Sequence, residues 1–368
     1  MWSASSRSPP TRHSRSTAPS CCPRGRRVSP IELRVTAAGW LSTFQDLGRA
    51  DTERLGVPTG GAADQYSATV ANLLVGNARG ATLIESLGGE FAFVPDAAVL
   101  VAVTGAPARV TVADAPVDGW APVVVPAGHE LRVRDIRVGA RIYVAVNGAL
   151  VAETFLGSSA PDARMGFEQK VIRGAVLSVR SRFRTFPRYS FGHPLFRLRT
   201  PRLRLAEGPW DIDVVESRAT NTVPGLRDLI AESTYTVTDR SNHVGLRLSG
   251  PVLHPDGDAE IVSHGVPIGA LEIPHADELI VLGRYRSLTA GYPIVGFASR
   301  ASLSLLGQAG PGRELRFRWV DREAAVRRHA QRERELLALE RTAGAAFEAR
   351  GFTPGPLPGS RTTKESER

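Results

Sequence analysis

Cysteine is almost missing from this chain of 368 residues: Cys21 and Cys22 stand side by side in a Ser-, Pro- and Arg-rich head, and there are no others. A disulfide scaffold and a cysteine-based zinc site are excluded, and a body without disulfides suits a reducing cytoplasm. Lysine is as scarce, with Lys170 and Lys364 the only two among 46 basic residues. No Gly-Lys-Ser/Thr exists, so there is no P-loop, in which backbone amides cradle phosphates and the Lys reaches the terminal ones. Covalent biotin needs a Lys on a tight hairpin, usually between methionines. Neither Lys is so placed, and a Schiff-base role falls only to Lys170. The longest uncharged apolar run lies between Asp96 and Arg109 and is broken by Gly105 and Pro107. That is well short of the ~20 residues of a membrane-spanning helix. A nucleophile-elbow Gly-x-Ser-x-Gly is absent. The eight histidines include no His-Glu-x-x-His or His-x-His spacing, so no metal site is expected, and His243 and His264 read as packed or solvated. The head also lacks the apolar segment of a secretory signal. It reads as disordered, or as an over-extended start of the reading frame.

The net charge of +9 would suit a polyanionic partner if it were gathered on one folded face, and it is not. Residues 1–30 hold six Arg and no acid, and residues 322–368 hold ten basic and seven acidic groups. The body, 31–321, keeps 30 of each sign and is neutral. Nucleic-acid binding is therefore not expected. With 42% hydrophobic residues, 36 Gly and 26 Pro, the chain can bury a sizeable core. Its length fits two domains or one large β-rich one.

From Ile31 to Arg182 short β-type runs alternate with Gly and Pro. Ala97–Thr104 and Arg141–Val146 are near-continuously apolar, as strands buried on both faces are; Pro122–Pro126 and His129–Arg134 are shorter, the latter alternating. One helix is expected over Ala62–Val75, with Tyr66, Val70, Leu73 and Leu74 on its apolar face and a stop at Gly76-Asn77. Residues 183–202, mixed in Phe, Pro, Tyr and Arg, read as a connector. A second β-rich segment covers 203–321, with strands expected at Thr234–Thr238, Val244–Leu248 and Leu279–Leu282 and short helices at Gly225–Glu232 and Arg300–Gln308. Arg322–Arg350 reads as a helix with a Glu323/Arg327 pair, and 351–368 as a disordered tail.

Several segments resemble, in order and spacing, the 5-oxoprolinase C-subunit family, also known as allophanate hydrolase subunit 2 and as a biotin-dependent carboxyltransferase-like domain. They are Gly39-Trp-Leu-Ser-Thr-Phe-Gln-Asp-Leu-Gly-Arg49, Leu55-Gly-Val-Pro-Thr-Gly-Gly-Ala-Ala-Asp64 and Ala71-Asn-Leu-Leu-Val-Gly-Asn77. Others are Ile84-Glu-Ser-Leu-Gly-Gly89, Tyr143-Val-Ala-Val-Asn-Gly148, Ser241-Asn-His-Val-Gly-Leu-Arg-Leu248 and Thr289-Ala-Gly-Tyr-Pro293. The likeness runs over about residues 33–321. It implies a mainly β protein of two cyclophilin-like β-barrel domains with few short helices, followed by the C-terminal helix. It also implies a cytoplasmic hetero-oligomer with a homologous B-type subunit and a separate A-type subunit of another fold. Together these use ATP, with Mg²⁺, to open 5-oxoproline or a related cyclic amide to glutamate. The alternatives are carboxyl transfer to urea or another amide, with biotin on a separate protein, and a non-catalytic regulatory partner of the B-type homologue. The chain departs from the family pattern at His264, Glu272, the loop Pro274–Leu279, Tyr285 and Ala290, all in its second half.

The motif residues carry their own chemistry. Gly60-Gly61 before a helix can present backbone N–H groups to a carboxylate or phosphate. Asp64, in the first turn, reads either as a cap or as a catalytic carboxylate. Gln45, Asp46 and Arg49 offer an amide, an acid and a guanidinium fork within five residues, and read either as a substrate site or as a hydrogen-bonded turn. Glu85, between apolar neighbours, reads as a buried acid/base or as a plain ion pair with an Arg. Arg240, Asn242 and Arg247 around Gly245, with Tyr292 after Gly291, read as phosphate or substrate contacts or as turn structure.

Overall fold

The computed structural model describes residues 30–181, 183, 198, 200–221, 225–251, 261–275 and 278–351. The expected head and tail lie outside these residues almost entirely, as does most of the connector.

The first half contains β1 (Ile31–Ala38), β2 (Leu41–Gln45), β3 (Leu83–Leu87), β4 (Phe91–Pro95), β5 (Val99–Gly105), β6 (Arg109–Val112), β7 (Ala115–Val117), β8 (Pro122–Val125), β9 (Leu131–Arg134), β10 (Arg141–Val146), β11 (Ala149–Leu150) and β12 (Val176–Arg180). They form a seven-stranded sheet, β11-β12-β1-β4-β9-β6-β7, and a five-stranded sheet, β2-β3-β10-β5-β8. The two sheets share one apolar core. The near-continuous apolar runs have their reason in the five-stranded sheet: Val99, Val101 and Val103 of β5 and Ile142, Val144 and Val146 of β10 enter that core. Their alternates, Leu100, Ala102, Tyr143 and Ala145, enter a second cluster on the opposite face.

That opposite face is covered by α1 (Gln65–Leu74). The expected one-sided apolar stripe is too narrow, since every residue from Tyr66 to Leu74 is buried. The helix is enclosed by β5 and β10 on one side and by α3 (Leu303–Gln308) and α4 (Arg322–Glu348) on others.

The second half forms a closed barrel of β13 (Trp210–Glu216), β14 (Thr234–Val237), β15 (Gly245–Ser249), β17 (Ala270–His275), β18 (Glu278–Leu282), β20 (Ile294–Ala298) and β21 (Glu314–Trp319), in the order β13-β20-β17-β18-β15-β14-β21. Parallel pairing of β21 with β13, from Trp210↔Leu315 to Val214↔Trp319, completes the ring and leaves no open edge. A small pair, β16 (His264–Gly265) and β19 (Thr289–Ala290), sets two departures from the family pattern opposite each other, His264 against Ala290. The helix α2 (Leu226–Glu232) packs on β21.

The halves meet through polar clamps. Gln308 of α3, fully buried, accepts at Oε1 from the amides of Ala140 (3.3 Å) and Arg141 (3.0 Å) and donates through Nε2 to Asp64 (2.9 Å). Arg141 donates to the Gly307 carbonyl at 2.5 Å, and Arg286 to Glu53 at 2.8 Å. Leu336, Leu339, Ala343 and Phe347 of α4 add to the cluster around α1.

Candidate functional site

Strand register builds the floor of the site. Thr43 of β2 stands opposite Glu85 of β3, Glu85 opposite Tyr143 of β10, and Tyr143 opposite Thr104 of β5. Four polar side chains thus form one row across the sheet, beside the N-terminus of α1. Tyr143 is fully buried; its hydroxyl donates to Glu85 Oε2 at 2.8 Å and accepts from the Asp64 amide at 2.8 Å. Burial, then the charge of Glu85, raises the Tyr143 hydroxyl well above its ordinary pKa, which keeps it a donor. Glu85 Oε2 also accepts from the Ala63 amide (2.9 Å), and Oε1 pairs with Arg141 at 3.4 Å. A carboxylate has about four lone-pair sites. Oε1 therefore keeps capacity for one further donor.

Above this row lies a cavity of about 420 Å³ between the two halves. Thr43, Gln45, Gly61 and Glu85 line it from the first half, and Asn242, His243, Arg284 and Tyr285 from the second. The Leu41, Leu87, Leu246 and Leu306 side chains make its apolar wall. The volume suits a small organic ligand, and the mix of apolar wall and few polar groups is the usual composition of a ligand site. Tyr285 reaches across the seam to Gln45 at 3.4 Å and packs edge-on against His243, with ring centroids 5.5 Å apart. Burial pushes the Tyr285 hydroxyl up to about 12, and burial lowers His243, favouring its neutral form.

Of the residues singled out in the sequence as site candidates, Gln45, Gly61, Glu85 and Asn242 line this cavity, and so do His243 and Lys170. The remaining candidates lie outside its lining. Asp64, with no exposed surface, caps α1: it accepts from the Ser67 amide (3.0 Å), the Ser67 hydroxyl (2.5 Å) and Gln308. Asp46 ties a turn together, accepting from Gly48 N (2.7 Å), Ser158 Oγ (2.6 Å) and Ser159 N (2.8 Å). Arg49, 1% exposed, donates to the carbonyls of Phe155 and Ala160 and lies over the Phe155 ring, with its guanidinium carbon 5.3 Å from the centroid. Arg240 and Arg247 share the carboxylate of Glu278, at 2.7 and 2.5 Å. Tyr292 stands outside the cavity lining.

Gly60 (φ +62°) and Gly61 (φ +87°) have left-handed backbone, and a Cβ on Gly60 would meet Arg49 Nη1 at 2.9 Å. Their amides do not form an open cradle. Gly60 N donates to the Arg284 carbonyl at 3.2 Å, the Gly61 backbone hydrogen-bonds Tyr285, and Ala62 N donates to the Asp46 carbonyl at 2.9 Å. With Ala63 N on Glu85 and Asp64 N on Tyr143, the loop has no free run of donors, and it does not fit a nucleotide phosphate. Among the described residues no cluster of three or more His, Cys, Asp or Glu could hold a metal ion.

Sequence reasoning does not single out Arg284, Arg141 or Thr43 as site residues. The available signal is position: Arg284 and Tyr285 follow Gly283 directly after the apolar run of β18, where a strand delivers its next residues to a sheet end. Tyr285 stands out in the sequence only as a departure from the family pattern.

Residues 55–319 match the family model described as carboxyltransferase domain, subdomain A and B. The chain is 28% identical over 307 residues to the 5-oxoprolinase C subunit of Escherichia coli (strain K12), covering 82% of this chain and 96% of that protein. It is 27% identical over 315 residues to the urea amidolyase of Lachancea kluyveri, covering 78% of this chain and 17% of that one. The crystal structure of the K. lactis urea amidolyase is alike in fold, with a TM-score of 0.75 at 22% identity over 86% of this chain and 20% of that one. The chain thus spans nearly all of the first relative and about a fifth of each amidolyase.

Proposed function

The chain belongs to the carboxyltransferase domain family of subdomains A and B, and on that premise we propose that it is one component of an ATP-dependent amidohydrolase acting in the cytoplasm. The assembly opens 5-oxoproline, or a related cyclic amide, to glutamate, with a homologous B-type subunit and a separate A-type subunit. The observation that carries this reading is the cavity between the halves, where Asn242 offers a side-chain amide and Glu85 Oε1 keeps an open acceptor site, while the Gln45 amide in its lining is held by Thr43 and Tyr285. A planar amide is complementary to such groups: its N–H donates to a carboxylate and its carbonyl accepts from a side-chain N–H. The near full-length likeness to a 5-oxoprolinase C subunit supports the choice of a lactam. Within this chain Glu85 holds the ligand N–H, with Tyr143, Arg141 and the Ala63 amide keeping the carboxylate in place. The apolar wall excludes bulk water. ATP and its Mg²⁺ would supply the driving force for ring opening, and on this chain the Gly60–Asp64 amides are engaged by the protein itself.

The likeness to urea amidolyases favours a second reading, carboxyl transfer to urea or another amide with biotin carried on a separate protein. Neighbouring reading frames separate the two: A-type and B-type subunits for lactam opening, a biotin carboxylase for carboxyl transfer. The direct test coexpresses the chain with its B-type homologue, adds the A-type protein, and follows glutamate release that depends on both ATP and 5-oxoproline. Glu85→Gln is expected to lower turnover at least tenfold, about 1.4 kcal/mol, beyond any fall in melting temperature from the lost ion pair with Arg141, which melting curves report separately. A folded complex that releases no glutamate overturns the reading.

A further inference from the structure

Among the cations that line the cavity, Arg284 stands apart. Arg141 is committed to the Gly307 carbonyl and to Glu85, Lys170 to Glu168 at 2.8 Å, and Arg164 to the Ser287 hydroxyl at 3.5 Å. The Arg284 backbone carbonyl is held by Gly60 N, yet no carboxylate, carbonyl or hydroxyl among the described residues hydrogen-bonds or ion-pairs with its guanidinium. The residue is half-buried and faces the cavity; burial lowers its pKa to about 10, with the charge of Arg300 acting in the same direction and those of Tyr143 and Asp64 against it. It still carries a full positive charge at neutral pH. A cation that faces a cavity with no bonded partner of its own is free to take an anionic group of a ligand. Its planar fork of five donors is matched by a carboxylate, which two parallel N–H···O bonds can hold.

We propose that Arg284 is the carboxylate anchor of the cavity, so that the ligand is a small amide that also bears a carboxylate, not a neutral amide such as urea. The inference rests on the reading of the cavity as the lactam site and adds the charge of its ligand. Arg284 is then a specificity-determining residue. Glu85 addresses the amide, and Arg284 addresses the acid group across the seam from β3. The arrangement also gives the seam a purpose, since the two groups come from different halves and neither half alone recognises both ends of the ligand.

The test is isothermal titration of the full chain with 5-oxoproline, with 2-pyrrolidinone, which is the same lactam without the carboxylate, and with acetate. Wild-type protein is expected to bind 5-oxoproline about tenfold or more tighter than 2-pyrrolidinone, the increment of a charge-assisted pair. Arg284→Gln is expected to abolish that preference while leaving 2-pyrrolidinone binding within about twofold, and Arg284→Lys to keep part of it. Melting curves of both variants report folding independently; should Arg284→Gln fail to fold, the wild-type preference and the Arg284→Lys series carry the test. Equal binding of the two lactams overturns the anchor and leaves lactam recognition standing. Acetate that binds as well as 5-oxoproline, lost on Arg284→Gln, supports the anchor and overturns the lactam reading. No binding of either carboxylate overturns the anchor.

Discussion

Glu272 brings a carboxylate into β17 with 6% of its surface exposed and no hydrogen-bond partner for Oε1. Burial raises its pKa, only partly opposed by the charges of His264 and Arg247. With the folded-state value above the unfolded one, the native state holds more protons between the two, so stability falls as pH rises through that window and stays reduced at neutral pH. Glu272→Gln removes the buried charge and is expected to stabilise the protein at pH 7 by on the order of 1 kcal/mol. The gain should shrink below about pH 4, where the carboxyl is protonated in both states. Thermal melts of the two proteins across pH 4 to 8 check this, and a constant difference would count against it. The position is visible in the sequence as one of the departures from the pattern the chain resembles. Its missing partner is not, because that depends on what β16 and β18 place around it. Asp64 and Glu85 teach the same point: spacing singles out both. Only the register of β3 against β10 puts one beside Tyr143 in the cavity floor, while the other closes on Ser67 and Gln308.

At the scale of elements, local pattern is enough where an element's partners are simple. The span of β10, Arg141–Val146, is legible directly, and α4 is legible from its composition and its stop before Gly351. The limits of α1 are legible within three residues, but its surroundings are not: a helix buried on every side needs three separate neighbours, two of them more than 200 residues away in the chain. In α4, Leu336, Leu339, Ala343 and Phe347 follow helical spacing onto the cluster around α1, and the remaining faces are polar or exposed. Gly344 lies next to that seam, and a Cβ there would meet nothing within 4 Å. Gly344→Ala is therefore expected to raise stability by about 0.5–1 kcal/mol through reduced freedom of the unfolded chain. Urea unfolding measures it, and a loss of stability would mean that this part of α4 is packed more tightly than its geometry indicates.

The cavity belongs to the molecule as a whole, which is why no stretch of sequence announces it. Its walls come from residues near 43, 85, 163, 243, 284 and 306, brought together only when the barrel docks on the two-sheet half. That docking depends on a close approach of α3 to the segment preceding α1. A Cβ on Gly307 would lie 2.3 Å from the Ala63 carbonyl oxygen and 2.8 Å from Asp64 N, backbone atoms that cannot swing aside. The next residue, Gln308, bridges Asp64 to the amides of Ala140 and Arg141, so moving α3 outward loosens the cap of α1 and the β10 end of the cavity floor together. Gly307→Ala should accordingly lower the melting temperature and weaken 5-oxoproline binding in the same variant, by several-fold or more. Gly310→Ala is the matched control, because a Cβ there meets only the Ala140 side chain at an ordinary 3.4 Å. It is expected to leave binding within about twofold, since ordinary van der Waals contact requires no displacement. If Gly307→Ala lowers stability while 5-oxoproline still binds as in the wild type, the ligand does not sit at the seam between the halves, and the site must be sought within one of them.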